Sequence, residues 1–241
     1  MDVLAQSRRR RLYEPVLVWQ WPIRIFHWVF ASAITVLFVT GIYITHPISN
    51  ATGEAGGLSR MATVRTIHFT AAAVFTIAFF WRVAWFFLGN RYARSGFPQL
   101  WLPSWWRSFL RQAWNYLRHD YRDVHLGHNA LAGLSYVIVP VLGGAFMMGT
   151  GFAMYGESNP GGFWDSLCGW IRPLLGGSFR THTAHHLVAW FFLVFVIVHV
   201  YLVLMNGTQQ KNGLISSMIS GRKFRRIEDS QRTENDDGQG A

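Results

Sequence analysis

The stretch HHLVAWFFLVFVIVHVYLVLM, residues 185–205, decides the fold. It runs for 21 residues without an Asp, Glu, Lys or Arg. A helix of that length rises roughly 30 Å, which matches the hydrocarbon thickness of a bilayer. Three other stretches have similar length and composition: Ile23–Ile44, Val64–Leu88 and Leu131–Tyr155. The sequence therefore predicts an all-α membrane protein, built as a bundle of four transmembrane helices.

The composition supports a membrane protein, and the charge distribution gives its topology. Charged residues make up 14% of the chain, against about 25% in soluble domains. Of the 22 Lys and Arg residues, 18 lie near the two termini or in and around the loop between the second and third spans. By the positive-inside rule, both termini and this loop are expected to be cytoplasmic. The net charge of +10 is thus explained by topology, and nucleic-acid binding is not expected. The single Cys168 excludes cysteine-based metal clusters and cysteine-attached haem.

The ends of the first and last predicted spans divide the chain into three parts. Residues 1–22 form a cytoplasmic N-terminal segment, residues 23–205 the transmembrane domain, and residues 206–241 a cytoplasmic tail that we expect to be disordered after Ile227. Residues 101–121 mix Trp, Leu and Arg at helical spacing. This segment is expected to lie along the cytoplasmic interface of the bilayer.

Histidines inside the predicted spans are the main candidates for functional residues. His185 and His199 are fourteen residues apart, so they share one helix face and lie about 21 Å apart along the axis. His186 lies about 140° away from His199 and is expected to point elsewhere. Ionisable residues inside a membrane are costly and need partners in the bundle interior. Neutral histidines bonded to backbone or to Ser and Thr remain an alternative for each one taken alone.

The predicted topology matches the depths of four histidines. His68 and His185 come together towards the outside and are called the outer pair; His27 and His199 come together towards the cytoplasm and are called the inner pair. Two imidazoles from different helices at each level are what a bis-histidine haem requires. The spacing therefore predicts two b haems with these four histidines as axial iron ligands. Such sites have no open coordination position, so they suit electron transfer, and no catalytic residue is predicted.

Four other residues are candidates for haem contact. Gly41 follows His27 by fourteen residues, where a missing side chain would admit a porphyrin edge; helix packing is an equal alternative. Arg82 follows His68 by fourteen residues and could pair with haem propionates, or it could extend to the interface. Arg65 is a similar candidate at the outer level, and Arg24 at the inner level unless it anchors the helix end.

Two other functional classes could also have histidines inside the membrane. A histidine-lined transporter or metal channel should show acids or backbone breaks at mid-membrane, which this sequence lacks. An anchor without haem, whose histidines are structural, stays open on sequence alone. A reduced-minus-oxidised visible spectrum separates these classes, because only a b-type cytochrome gives sharp bands.

Each of the four spans carries a distinctive motif. These motifs are Arg24-Ile-Phe-His27-Trp28, Arg65-Thr-Ile-His68-Phe69, Gly151-Phe-Ala-Met-Tyr155-Gly156-Glu157, and His182-Thr-Ala-His185-His186 with Val198-His199-Val200-Tyr201. Together they resemble one known family, the b-type cytochrome subunits of membrane-bound nickel–iron uptake hydrogenases, over about Val16 to Phe224. More distantly the chain is similar to the cytochrome b subunits of respiratory formate dehydrogenases.

The resemblance implies a function and a setting. It implies an electron-transfer subunit in the bacterial inner membrane that holds two protohaem IX groups and is not itself the hydrogenase catalytic subunit. Its partners would be the hydrogenase small and large subunits on the periplasmic side, and its electron acceptor would be quinone. The family's haem ligands fall on His27, His68, His185 and His199. A cytochrome subunit of another periplasmic oxidoreductase, such as formate dehydrogenase, is the alternative.

Two further expectations concern where the partners bind. The hydrogenase is expected on the loops Thr45–Arg60 and Tyr155–Thr181. Quinone is expected near the cytoplasm, where the polar residues of the central loop are possible proton carriers: His119, Asp120, Asp123, His125 and His128.

Overall fold

The protein is a helical bundle with a small sheet at one end. The computed structural model describes residues 13–47, 55–121 and 125–226, and only the backbone of residues 55–59. The predicted tail after Ile227, the basic run Arg8–Arg11 and Asp123 lie outside the described residues. In chain order the elements are β1 (Tyr13–Leu17), α1 (Trp21–Thr45), α2 (Ala55–Leu88), α3 (Arg91–Arg94), α4 (Pro103–Leu117), α5 (Ala130–Tyr136), a π-helical segment (Val137–Gly143), α6 (Gly144–Gly156), α7 (Phe163–Cys168), α8 (Ile171–Leu175), α9 (Ser178–Gln210), α10 (Ser217–Ser220) and β2 (Arg222–Arg226).

Four helical stretches are long and apolar enough to cross a bilayer. They are α1, residues Arg60–Leu88 of α2, residues Ala130–Gly156 and α9. The prediction of a mostly helical, multi-pass membrane protein is therefore confirmed. Each stretch extends beyond the apolar run read from the sequence, most of all α9, which begins seven residues before His185. Polar residues at these ends still form helix, because a fall in hydropathy does not interrupt backbone hydrogen bonding.

The surface of the bundle is apolar along these helices. Large side chains such as Val39, Ile77 and Phe80 are 60% exposed or more. A soluble domain rarely exposes contiguous apolar surface on this scale. The same surface is suited to the hydrocarbon of a bilayer. Lipid tails are as apolar as Leu or Phe, so these side chains gain no hydrophobic free energy by being buried against protein.

The third span contains a π-helical segment at its middle. Pro140 lies within this segment, Val137–Gly143. Proline lacks the N–H that an α-helix needs and clashes with the carbonyl one turn earlier. A π-helical turn changes the hydrogen-bond register, and the helix resumes at Gly144. The span therefore passes the proline without ending.

The four spans pack as two pairs. In the pair α1–α2, Phe30 stacks on Phe75 with ring centroids 4.3 Å apart, and Ala33 and Ala78 are buried beside them. The other pair joins the third span to α9, where Phe192 lies against Gly143. Contacts between the two pairs are sparse. The interior between the two helix pairs is therefore the least tightly packed part of the bundle.

A two-stranded sheet joins the two ends of the described chain. Strands β1 and β2 are antiparallel, with Tyr13 opposite Arg226 and Leu17 opposite Arg222. The Gly221 carbonyl accepts from the backbone N–H groups of Val18 and Trp19, at 2.9 and 3.0 Å. We call this end of the bundle the sheet end, and the end with the loops after α1 and α6 the loop end. The sequence did not predict the sheet, because its strands are five residues long and far apart in the chain.

The loop between the second and third spans also lies at the sheet end. The backbone N–H of Tyr121 donates to Gln209 of α9 at 3.1 Å. Helix α4 falls inside the amphipathic segment read from the sequence, and one of its faces carries exposed apolar side chains at helical spacing: Trp106, Leu110, Trp114 and Leu117. This face is suited to the bilayer interface.

The loop end is held by one arginine. Arg172 donates to Asp165 and lies 3.9 Å from a carboxylate oxygen of Glu157, at the end of α6. Trp164 stacks on Phe152 of α6 with ring centroids 4.1 Å apart and planes 6° from parallel. Helix α7 is therefore fixed to the third span. Exposed apolar residues lie on α7 and on the segments that follow it: Phe163, Leu167, Trp170, Leu174 and Phe179.

Candidate functional site

The inner pair comes together across the two halves of the bundle. The rings of His27 in α1 and His199 in α9 have centroids 6.4 Å apart, with planes inclined at 47°. Imidazole nitrogens bind metals at about 2 Å, and the ring centroid lies about 1.1 Å behind the nitrogen. Two imidazoles on opposite sides of one metal ion would thus have centroids about 6.3 Å apart. The separation of His27 and His199 fits that arrangement.

The outer pair lies at the other level, and each of its members is held by a threonine. The Nδ1 atom of His68 is 2.8 Å from the Thr40 hydroxyl of α1. The Nδ1 atom of His185 is likewise 2.8 Å from the Thr150 hydroxyl of α6. His68 and His185 also lie within electrostatic reach of each other. The structure therefore places them at one level, as the depth argument predicts.

The threonine hydroxyls fix which ring nitrogen carries the proton. Thr40 donates to the Val36 carbonyl at 2.6 Å, and Thr150 to the Phe146 carbonyl at 2.7 Å. A hydroxyl has one proton, so each threonine oxygen can only accept from the histidine. With the hydroxyl proton donated to the carbonyl, each outer histidine carries its ring proton on Nδ1. Their Nε2 atoms keep the lone pair that a metal ion needs.

Two glycines face the rings of the outer histidines. A Cβ atom at Gly41 would lie 3.5 Å from Cε1 of His68, and one at Gly151 would lie 3.5 Å from Cε1 of His185. Glycine at these positions keeps side chains away from both outer rings. His27, His68 and His185 are only half-buried and His199 is exposed, so packing seals off none of the four rings. These residues fit a pair of haems bound between histidines.

The arginines that the sequence singled out lie in three different environments. Arg82 is buried, donates to the Ala93 carbonyl at 2.9 Å and lies over the ring of Tyr136. It therefore places a positive charge at the sheet end of the bundle, the end of the inner pair, and does not extend to solvent. Arg24 donates to the carbonyl of Ile219 and ties α1 to α10, which favours the anchoring alternative. Arg65 is exposed on α2.

His186 points away from the outer pair. Its Nε2 accepts a hydrogen bond from the Trp190 indole at 3.0 Å. Its ring lies beside His46, at the end of α1, with centroids 6.4 Å apart. This orientation agrees with the helical-face argument that separated His186 from His185.

A polar cavity of about 270 Å³ opens at the sheet end. It is lined by Arg94, Ser95, Phe97, Gln99, Trp105, Ser108, His125, His128, Asn129 and Ala130. The ring of His128 packs against Trp19 and Tyr136, with centroids 5.1 and 5.8 Å away. Burial, together with the charges of Arg82, Lys223 and His199, lowers the pKa of His128 to about 3. His128 is therefore a half-buried residue that stays neutral near pH 7.

The sequence did not single out Thr40 or Thr150, and it gave Gly151 only as part of the third-span motif. A signal was present, because the dipeptide Thr-Gly occurs at residues 40–41 and again at 150–151, facing the two outer histidines. The third span lacks a histidine, but it contributes to the site through Thr150.

Comparisons with known proteins agree with this geometry. The sequence model of the family described as prokaryotic cytochrome b561 matches residues 18–221. The chain belongs to this family. The family resemblance drawn from the histidine motifs is thereby confirmed, and membership in the cytochrome b561 family implies that the protein carries b-type haem.

Three relatives show how far the similarity extends. The chain is 38% identical to a probable Ni/Fe-hydrogenase B-type cytochrome subunit of Rhodobacter capsulatus over 222 residues, covering 90% of this chain and 84% of the relative. It is 39% identical to the protein of that name from Azotobacter vinelandii over 209 residues, covering 86% and 87%. A probable Ni/Fe-hydrogenase 1 B-type cytochrome subunit of Escherichia coli K12 is 34% identical over 230 residues, covering 90% and 95%. This member of the cytochrome b561 family therefore matches hydrogenase-associated proteins over most of their length.

Proposed function

We propose that this protein carries electrons from a periplasmic nickel–iron hydrogenase to quinone, through two b haems held in the bundle. The observation that carries the proposal is the pairing of histidines at two levels, with the inner rings 6.4 Å apart and the Nδ1 atom of each outer ring 2.8 Å from a threonine hydroxyl. The names of the relatives supply the hydrogenase partner. A formate dehydrogenase partner is not favoured, because the relatives described above carry hydrogenase names.

Each part of the chain has a separate task in this proposal. A b haem held between two histidines passes one electron at a time between its ferric and ferrous states. His68 and His185 bind one iron, and His27 and His199 bind the other. The apolar faces of the four helices keep water from both levels. Glycines 41 and 151 leave the outer level open to the flat ring.

The distribution of basic residues supports an orientation in the inner membrane. The sheet end carries both ends of the described chain and the Arg-rich central loop, and so most of the positive charge of the described residues. The positive-inside rule assigns this end to the cytoplasm. The loop end is then periplasmic. On this reading the inner pair lies near the cytoplasm and the outer pair near the hydrogenase.

The loop end supplies a surface for the hydrogenase subunits. Side chains of Phe163, Trp170 and Phe179 are 61–84% exposed there, beside the ion pair of Arg172 with Asp165. Aromatic residues and Arg are enriched in protein–protein interfaces. Part of the other predicted docking loop, residues 48–54, lies outside the described residues. Crosslinks from the hydrogenase small subunit are expected at the loop end, and crosslinks to α4 would contradict this orientation.

The polar cavity at the sheet end supports quinone binding near the cytoplasm. It is lined by His128, which lies within electrostatic reach of His199, and by polar groups that can bind a carbonyl, including Ser95 and Asn129. Quinone reduction consumes protons, and His119, Asp120 and His125 belong to the same loop. This placement gives the inner pair a role between the outer pair and the acceptor.

The test is spectroscopic and needs the intact protein. Purified in detergent, the protein should show sharp b-type bands in a reduced-minus-oxidised spectrum, with two haems per chain by pyridine haemochrome assay. A featureless spectrum would contradict the proposal. One haem per chain would contradict the two-level arrangement while leaving a b-type cytochrome.

A further inference from the structure

The two outer histidines are held by matching units from different helices. In each unit a threonine donates to the carbonyl four residues earlier and accepts from the histidine Nδ1–H, and the next residue is a glycine facing the same ring. The units are Thr40-Gly41 against His68 and Thr150-Gly151 against His185. The Nδ1 to Oγ1 distance is 2.8 Å in both. Two different helices, α1 and α6, thus provide the same local arrangement of hydrogen bonds around a histidine.

Each unit is a chain of two hydrogen bonds in a low-dielectric interior. The carbonyl of Val36 or Phe146 polarises the threonine hydroxyl, and the hydroxyl oxygen becomes a stronger acceptor for the ring. A ring that donates strongly from Nδ1 is more electron-rich at Nε2. Such second-shell bonds orient a metal-bound histidine and raise its basicity as a ligand.

The inner pair differs from this arrangement. The Nδ1 atom of His27 is buried without a hydrogen-bond partner among the described residues. The ring of His199 stacks on Phe195, with centroids 5.8 Å apart and planes 20° from parallel. Buried Arg82 adds a positive charge at this end of the bundle. An electron-rich ligand pair stabilises ferric iron, whereas a nearby cation opposes it.

We propose that Thr40 and Thr150 are positioning residues that set the outer haem at a lower reduction potential than the inner haem. The inference rests on the proposed function, since it takes His68 and His185 as ligands of one iron. The threonines hold both rings with Nε2 towards the iron and strengthen them as donors. An electron that enters at the outer level is then transferred downhill to the inner level. The direction of transfer is built into the hydrogen bonds of α1 and α6.

The decisive variants are Thr40→Val and Thr150→Val, which keep the shape of the side chain and remove the hydroxyl. Potentiometric titration of the purified protein, followed in the visible spectrum, should resolve two components. We expect the lower-potential component to shift to a higher potential in each valine variant, while the other component stays in place. We also expect roughly 10–100-fold weaker retention of the outer haem. Low-spin ferric EPR signals should change for one haem only.

Matched variants separate the hydroxyl from packing. Thr40→Ser and Thr150→Ser keep both hydrogen bonds and should restore the potential of the unaltered protein. Thr35→Val removes a hydroxyl of α1 that donates to the Ala31 carbonyl at 2.9 Å, and it should leave both components unchanged. If a valine variant loses its outer haem, the serine variant at the same position shows whether the loss comes from the missing hydroxyl or from altered packing. Full haem with an unaltered potential in the serine variant supports the proposal, and equal loss in both variants overturns it.

Three outcomes contradict the inference in different ways. If both components keep their potentials in the valine variants, the threonines do not tune the outer haem and the inference fails, while the two-haem function stands. If His68→Ala and His185→Ala leave the haem content unchanged, the assignment of ligands fails and the inference fails with it. A shift confined to the higher-potential component would reverse the assigned order and would also overturn the inference.

Discussion

His27 and His199 face each other from the first and last spans, with ring centroids 6.4 Å apart. Because both rings are expected to bind one iron, replacing either by Ala should remove the same haem. We expect the haem-to-protein ratio to fall by half in His27→Ala, in His199→Ala and in the double variant. The pyridine haemochrome assay measures this ratio.

A second double variant provides the control for this pairing. His27→Ala combined with His68→Ala removes one ligand from each level, so both haems should be lost. His46→Ala, at an exposed position on α1's end, should keep both. If the His27 and His199 double variant lost more haem than either single variant, these two residues would belong to different sites.

His186 is expected to be dispensable for haem binding. Its Nε2 already accepts a hydrogen bond from Trp190 at 3.0 Å, and its ring lies beside His46. We therefore expect His186→Ala to retain both haems and His185→Ala to lose the outer one. The same haem assay compares the two variants. Loss of a haem in His186→Ala with full retention in His185→Ala would show that α9 is rotated relative to this description.

The sequence predicts the spans and the pairing of histidines better than it predicts what surrounds them. Helix length and the 100° rotation per residue are properties of one helix, so the apolar runs and the shared face of His185 and His199 follow from sequence alone. The bond between Thr150 and His185 depends on how two helices are rotated against each other. That rotation is set by packing across the whole bundle, which a single sequence does not reveal.

Packing between parts of the chain that are distant in sequence also explains why the surroundings of His128 and the small sheet were not predicted. His128 lies in a polar stretch and was predicted only as a possible proton carrier, yet Trp19 and Tyr136 pack against its ring. Tyr136 lies at the end of the next helix, α5, but Trp19 comes from near the beginning of the described chain. The pairing of β1 with β2 is equally non-local, since it joins residues at opposite ends of the described chain.

Gly221 is expected to be essential for closing the sheet end. Its φ of 80° lies in the left-handed region, and a Cβ atom there would be 2.5 Å from the Trp19 carbonyl oxygen. We expect Gly221→Ala to destabilise the protein by about 1–3 kcal/mol or more, since backbone strain and a clash combine. Gly161→Ala is the matched control, because Gly161 has a φ of 75° and no neighbour within 4 Å of its added Cβ. Thermal unfolding in detergent should show a larger loss for Gly221→Ala, and equal losses would contradict the clash.

His128 is expected to make the protein sensitive to acid. Its folded pKa of about 3 lies below the unfolded value of about 6.5, so the unfolded chain binds a proton between these pH values and the folded chain does not. The stabilising contribution is complete above pH 6.5 and is lost as the pH falls towards 3. The slope is about 1.4 kcal/mol per pH unit for one proton.

The His128→Asn variant tests this contribution. Asn can still donate to the Ser95 hydroxyl, which lies 3.2 Å from Nδ1 of His128, but it does not titrate. Unfolding measured from pH 3 to pH 7 should therefore depend less on pH in this variant. His119→Asn changes an exposed histidine of the same loop and should keep the original dependence. Identical curves for His128→Asn and the unaltered protein would show that other groups cause the acid sensitivity.

Quinone is expected to be reduced at the sheet end, beside the inner pair. The cavity there is lined by polar groups and by His128, within electrostatic reach of His199. Removal of the inner haem by His199→Ala should therefore abolish hydrogen-driven quinone reduction in membranes that contain the complete complex. The outer haem should remain in the spectrum, since Thr40 and Thr150 still hold its ligands. Hydrogen oxidation with an artificial dye should also persist, because it needs only the hydrogenase. Quinone reduction close to that of the unaltered complex would instead place the quinone site beside His68 and His185.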